Sequence, residues 1–239
     1  MKTAPSASAS ANLGPRRRPE SGGYARGDEV RNRILLAAIE LFGEQGFDSA
    51  STRAIAARAG VNPPALQYYF HNKDRLRQAC GQYLADRIKS HLIAPMARAQ
   101  KVLEAGDAEA APEALWALME TVVEHSSNEA EIPGWTQFLA QAAAEVSDTS
   151  LALIHRDAVE PLFKTLAGLI ALSWKREPDD EAVRLGAVFL LCQARSFGIH
   201  RQGTLAMMDW PDFQGGRLEA GKRCLKSLVM VLLANPLSA

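Results

Sequence analysis

The sequence predicts an all-α protein, with a small N-terminal unit of three helices followed by a larger helical bundle. Three observations predict it. Apolar residues recur at i, i+3 and i+4 from Val30 to Leu233, and no stretch carries the alternating pattern of a half-buried strand. The breaks between periodic stretches fall at clusters of Gly, Pro and Asp. The segment from Ser51 to Lys73, STRAIAARAGVNPPALQYYFHNK, spells two short helices joined by a glycine-bearing turn. With 239 residues, 47% of them hydrophobic, the chain can build a substantial core.

Residues 1–27 are rich in Ala, Ser, Gly, Pro and Arg, show no apolar period, and are expected to form a tail. Arg16, Arg17 and Arg18 within it suit either contact with phosphates or a solvated arm, while Pro5, Pro15 and Pro19 spoil the amphipathic helix of a transit peptide. The first helix carries the stripe Val30, Ile34, Ala37, Ala38, Leu41 and Phe42, and Gly43 and Gly46 are expected to close it. Ser51 or Thr52 then starts a second helix with Ile55, Ala56 and Ala59 on its apolar face. Gly60 stops it, Val61 fills the corner, and Asn62 followed by Pro63 is an N-cap with proline at the first helical position. The third helix runs to Phe70. Leu66 and Phe70 anchor it at i, i+4, leaving Pro64, Ala65, Gln67, Tyr68 and Tyr69 as its outer surface.

A glycine turn between two short helices fits an ordinary helical corner as well as a helix-turn-helix. The side chains favour the second. Paired tyrosines gain nothing from core packing on both faces, yet their hydroxyls can bond phosphates, as can Lys73 beyond the helix and Thr52 and Arg53 at the start of the preceding one. The charge distribution agrees. Residues 1–77 hold 12 basic against 7 acidic side chains, a net of +5 in a chain whose total is zero, so the remainder carries −5.

Residues 29–76 resemble the DNA-binding domain of the tetracycline-repressor (TetR) family of bacterial transcription regulators. The resemblance rests on ILLAAIELFGEQGFDSAS before the motif, on T-x-x-x-I-A-x-x-A-G-V, and on the ending Y-F-x-N-K-x-x-L. It implies DNA contact by Tyr68, Tyr69 and Lys73, phosphate binding by Thr52, and base-side positions for Asn62, Pro64 and Ala65. Gln67 stands where the family usually carries tyrosine. Glutamine can bond adenine bidentately or be merely solvated, so its role is open.

Beyond the motif, a long helix starts near Asp74 and links the head to the rest, with Pro95 expected to kink or end it. Further helices are expected at Pro112–Ser126, Pro133–Val146, Ser150–Trp174, Asp179–Ile199 and Leu218–Ala234. The last two are apolar nearly all round, and such helices must be covered from both sides. A dimer interface is therefore expected from Val183, Ala187, Leu190 and Ala194 with Leu218, Leu225, Leu228 and Leu232, a use of the last two long helices that the family resemblance also implies. A ligand pocket is expected among Trp116, Met119, His125, Trp135, Phe138, His155 and Arg195. HRDAVEPLFKTLAGLIA with the later CQARSFGI resembles, with less specific motifs over residues 78–235, TetR regulators having a CerR-type C-terminal domain, which implies effector binding and dimerisation.

The expected division is thus a tail at 1–27, a helix-turn-helix domain at 28–76, and a ligand-binding and dimerising bundle at 77–239. The partners expected are double-stranded palindromic operator DNA, a second copy of the chain and a small-molecule effector that releases a repressor by tilting the helix from Asp74. No cofactor, metal or membrane is expected. The alternatives are a metal- or redox-responsive regulator and an all-α enzyme. The five histidines show no catalytic or phosphate-loop spacing, which argues against the enzyme, and no His or Cys pair stands at i, i+3 or i+4, which argues against metal sensing. Cys80, Cys192 and Cys224 form no C-x-x-C, suiting a reduced cytoplasm, and no apolar run is expected to approach a membrane span of roughly 18 residues.

Overall fold

The computed structural model describes residues 22–128, 134–145 and 148–237, and these form helices without strands. The tail with Arg16, Arg17 and Arg18 lies outside the described residues, as do Pro133 and Val146, the expected ends of one helix.

The head is α1 (Gly22–Gln45), α2 (Thr52–Arg58) and α3 (Pro63–Phe70). Helix α1 starts inside the expected tail and runs through Gly43; only Gly46, at φ +78°, ends it. Gly43 has a different task. A Cβ there would lie 2.8 Å from the Gly134 carbonyl and 2.9 Å from the Phe138 nitrogen, so its missing side chain lets α1 touch the later helix at Trp135–Ala144. Ser51 caps α2, its hydroxyl accepting from the Ala54 N–H at 3.1 Å. Gly60 takes φ +65°, and the Val61 N–H bonds the Ala56 carbonyl at 3.0 Å, closing the turn.

Helix α4 (Lys73–Ala105) begins at once, capped by Asn72, and is not ended by Pro95. Proline has no N–H to offer the His91 carbonyl one turn earlier, so α4 has a gap in its backbone ladder between those residues. Then follow α5 (Ala111–Ser127), α6 (Trp135–Ala144), α7 (Thr149–Ile154) and α8 (Glu160–Trp174), with a π-helical turn at His155–Val159 joining the last two. Helices α9 (Glu181–Ile199), α10 (Arg201–Met208) and α11 (Gly216–Ala234) complete the chain. Helix α10 was not expected. It follows α9 after a single break at His200, with neither proline nor glycine to announce it.

These helices bury two cores. One, in the body, is built from the far part of α4 with α5, α8, α9 and α11. The other joins Ile34–Phe42 of α1, Ile55, Leu66 and Phe70 to Leu76, Cys80, Leu84 and Ala85 of α4. It is completed by Trp135, Phe138 and Leu139 of α6 and by Ile154 and Ala158. Ile88 and Val159 pack against both. The head is therefore not closed by its own three helices: α6 and the π turn finish its interior.

Among the described helices α9 alone has the length and composition of a membrane span, but Glu181, Arg184 and Arg195 interrupt its apolar run and its inner side is covered by the protein. Its neighbours supply that cover. It packs on α5, α8, α10 and α11, so one side is a body-core face, and Val183, Ala187, Leu190 and Ala194 are at most 4% exposed. Those four were expected at a dimer interface; they are closed over by the protomer's own core, as is Leu225, while Leu218 and Leu232 are half-buried against it. Of the expected set only Leu228 is exposed, and the apolar side chains that face outward with it are Leu185, Val188 and Phe189 of α9 and Val231 of α11. Gly186 meets Leu232 and Gly221 meets Phe197, so α9 and α11 run antiparallel with Phe189 level with Leu228.

Candidate functional site

Helix α3 has eight residues, too few to be stable alone, so its placement depends on its anchors. Leu66 and Phe70 are 3% and 4% exposed, and each such burial contributes about 1.5–3 kcal/mol. At the other end the Asn62 side-chain oxygen accepts from the Ala65 N–H at 3.1 Å, so the carbonyl half of that amide belongs to the cap. What remains outward is Asn62, Pro64, Gln67 and Tyr68, with Ala65 and Tyr69 half-buried. Tyr68 is 78% exposed, an uncommon setting for an aromatic ring without a partner, and meets Tyr69 edge-on at 5.2 Å. Tyr69 leans on the head core and ends beside Gly27 of α1.

The cations form a rim. Lys73 donates from Nζ to the Asp48 carbonyl at 3.0 Å with its ammonium 4.5 Å above the Phe47 ring, which holds the charge at the foot of α3. Arg53 is exposed and Thr52 half-exposed at the start of α2. Two further arginines had not been included from the sequence: Arg31 of α1 lies 5.3 Å over the Phe70 ring, and Arg33 reaches Gly60. They stand at opposite ends of α3. The signal was there in R-N-R, but placing it needed the fold.

A second site lies between the two cores. A cavity of about 50 Å³ is lined by Ile88, His91 and Leu92 of α4, Thr121, Val122, His125 and Ser126 of α5, Trp135 and Leu139 of α6, Ile154, Ala158 and Val159, Leu162 of α8, and Leu191 and Arg195 of α9. The His125 ring lies 4.8 Å from His91 and 5.0 Å from Trp135. An open groove of about 380 Å³ adjoins it, sharing Val159, Leu191 and Arg195 and adding His155, Glu160, Phe163, Val188 and Cys192. Burial lowers the His155 pKa, and the charge of Arg195 lowers it further. Of the residues expected in a pocket, His125, Trp135, His155 and Arg195 line these spaces. Trp116, Met119 and Phe138 do not. The first two are body core and Phe138 packs on Phe42, because their helix faces point into the cores and not the seam.

The cavity communicates with the head through α4 and α7. Arg77, one turn into α4, donates to Asp148 and pairs with Glu145 at 2.8 Å, and its guanidinium stacks 4.2 Å from the same Phe47 ring that Lys73 covers. Asp148 also caps α7, accepting from the Leu151 N–H at 2.8 Å and from the Ser150 hydroxyl. Beside it, Gly81 lets α4 press on Ser150; a Cβ there would lie 2.7 Å from the Ser150 backbone. A path of direct contacts thus runs from the π turn through α7 to Arg77, Phe47 and Lys73.

With this geometry in view, known proteins place the chain. Residues 34–80 match the sequence model of bacterial regulatory proteins of the tetR family, and residues 111–235, more than half of the chain, match that of the C-terminal domain of the HTH-type transcriptional dual regulator CecR. The type named CerR from the sequence is CecR's. CecR of Shigella flexneri is 26% identical over 201 residues, 81% of this chain and 86% of its own length. A TetR-like transcriptional regulator from Rhodococcus sp. RHA1 superposes with a TM-score of 0.59 at 22% identity, covering 86% of this chain and 96% of that one. AibR, solved in complex with isovaleryl coenzyme A and operator DNA, gives 0.59 at 18% identity over 83% of this chain and 97% of its own. The chain therefore belongs to the TetR family of bacterial transcription regulators, with a C-terminal domain of the CecR type, and it is a DNA-binding regulator.

Proposed function

We propose that this regulator is a homodimeric repressor that grips a palindromic operator and is released when a small molecule enters the cavity between its two cores. The observation that carries this reading is the position of that cavity: one wall is head core and the other is body core. A space of about 50 Å³ holds little more than water, for which a cavity needs roughly 10–15 Å³, so a ligand must select a form in which the seam is wider. Widening it turns the first half of α4, which travels with the head, against the second half, which travels with the body. Pro95 and the π turn lie at the level of the cavity, where the helical ladders are already irregular. AibR, which shares this fold, was solved with isovaleryl coenzyme A and operator DNA, and this supports a regulator that takes both a small molecule and an operator.

Reading is assigned to Tyr68, Tyr69, Lys73, Thr52 and Arg53 at the backbone, and to Asn62, Pro64, Ala65 and Gln67 at base edges, within residues 28–76. Two heads about 34–36 Å apart are needed to read successive grooves on one face of DNA. The second copy docks on Leu185, Val188, Phe189, Leu228 and Val231. Residues 77–239 supply ligand site and dimer contact without catalysis, cofactor or metal, in the cytoplasm, where the three free cysteines stay reduced.

The test is operator binding by the purified protein. Tyr68→Ala and Lys73→Ala should each weaken it by about 1–3 kcal/mol, roughly fivefold or more, with an unchanged melting temperature. Unchanged affinity in both variants would refute the head assignment. Phe189→Lys should yield monomers by light scattering and lose the operator; a persistent dimer would move the interface elsewhere. Spin labels on α3 of the two heads should report a changed separation when an effector releases the DNA, and a constant separation would exclude the seam mechanism.

A further inference from the structure

Two nearly buried cations in this structure are held by acids. Arg77 has Asp148 and Glu145, and Lys222 has Glu120, Glu124 and Glu219. Arg195 differs. It is half-buried on α9, lines both the inner cavity and the outer groove, and forms no ion pair among the described residues. The acids around it are engaged elsewhere: Glu160 at the groove pairs with Lys164 at 2.6 Å, and Asp157 on the π turn pairs with Arg156 at 2.6 Å. Burial of Arg195 disfavours its charge, and its neighbour His155 is disfavoured as a second cation. A guanidinium partly withdrawn from water without a carboxylate is disfavoured, and an oxyanion offered from outside would accept two parallel hydrogen bonds from its fork.

We propose that Arg195 is the anchor for an anionic headgroup, a carboxylate or a phosphate monoester, on an otherwise apolar effector. This deepens the effector reading above and rests on it. The headgroup sits in the groove between Arg195 and the neutral imidazole of His155, which can donate one further hydrogen bond. The tail passes inward along Leu191 and Val159 toward Leu92, Val122, Leu139 and Leu162, all apolar. A groove of about 380 Å³ falls in the range of roughly 300–1,000 Å³ that small-molecule sites occupy, so most of the ligand is held there and only its end enters the seam. Val188 and Cys192 at the rim also belong to the outward side of α9, which places the mouth at the edge of the proposed mate.

Titration calorimetry of the full chain with octanoate, octyl phosphate and 1-octanol tests this. At least one of the two anions should bind roughly tenfold to a hundredfold tighter than the alcohol, the contribution of hydrogen bonds to a charged group. Which anion does so identifies the headgroup. Arg195→Gln should remove the preference and leave octanol binding unchanged, while Arg195→Lys should keep part of it. Equal binding of all three compounds to the unsubstituted protein, binding of none at millimolar concentration, or an undiminished preference in Arg195→Gln would each overturn the anchor. If Arg195→Gln fails to fold, the comparison of anion with alcohol on the unsubstituted chain still decides. Operator release is read separately: an anion bound through Arg195 that leaves the operator complex intact refutes the effector reading alone, and release that ignores Arg195 refutes the anchor alone.

Discussion

The two cores are built differently. The body core is almost wholly apolar, and its polar ties sit at its margins, such as the Trp174 indole N–H donating to the Leu233 carbonyl at 3.1 Å and Lys222 among three glutamates. The core shared by head and body has apolar contents too, and glycine crossings mark both units, Gly43 and Gly81 here and Gly198 against the Ser126 carbonyl in the body. What sets the border of the shared core apart is the Arg77, Asp148 and Glu145 cluster, in which the acid Asp148 is fully buried, whereas the glutamates around Lys222 face solvent. Apolar burial is non-directional, whereas a buried ion cluster fits one arrangement and resists intermediate ones. The contrast teaches where the proposed two-state motion would have its boundary. The body is suited to staying the same while the head's interior is re-seated against it.

The largest test of that contrast is Asp148→Ala. The Asp148 side chain is fully buried and Arg77 is 11% exposed, so removing the acid leaves a nearly buried cation and uncaps α7. A loss of about 3–5 kcal/mol is expected in denaturant unfolding. A change below about 1 kcal/mol, the worth of a surface pair, would mean that the cluster does not fix the boundary. Next in size, Gly81→Ala forces a Cβ to 2.7 Å from Ser150 backbone and should cost about 1–3 kcal/mol. Gly203→Ala is the matched control: nothing lies within 4 Å of the added carbon, and the gain of about 0.5–1 kcal/mol reflects helix propensity alone. Equal effects at the two positions would abolish the distinction.

Two smaller effects sharpen it. Burial pushes the Cys80 thiol far up, and its Sγ lies 3.8 Å from the Leu35 carbonyl. It should stay silent to a disulfide reagent until the head core opens, so its labelling rate measures that opening. Exposed Cys224 of α11 serves as the reference. The smallest effect belongs to His155. Its pKa is lowered in the folded state by burial and then by Arg195, so below the unfolded value of about 6.5 the unfolded chain takes up a proton that the folded chain refuses. Stability should therefore decline gently as pH falls through that region. His155→Gln should flatten the slope, and an unaltered slope would assign it to another group.

The head was legible because its signals are local. Ser51, Gly60, Asn62 and Pro63 each act within a few residues, and Leu66 and Phe70 mark the inward side of α3 by spacing alone. The outward side of α9 was not, because a helix apolar nearly all round carries no phase: Val183, Ala187, Leu190 and Ala194 form as good a stripe as Leu185, Val188, Phe189 and Cys192, and only the placement of α5 and α8 decides which is covered. The same reason separates Trp116 and Met119, which are core, from His125, one or two turns away and in the cavity wall. The π turn at His155–Val159 has no residue signature in H-R-D-A-V, and Arg77 and Asp148 stand 71 positions apart. Contacts of that reach are invisible to periodicity.

The close passage of α1 over α6 at Gly43 bears on how such regulators can be recombined. A recognition head transplanted from one relative to another carries its reading helix with it, but not the partner surface that completes its interior. A chimera cut after α3, or even at Leu76, would join a head lacking the floor formed by Trp135, Phe138 and Leu139 to a body shaped for a different guest. Exchangeable parts in this protein are therefore spatial and not contiguous. The smallest unit that can be traded is α1 to the first half of α4 together with α6 and α7, and DNA specificity should move between relatives only when that discontinuous block moves whole.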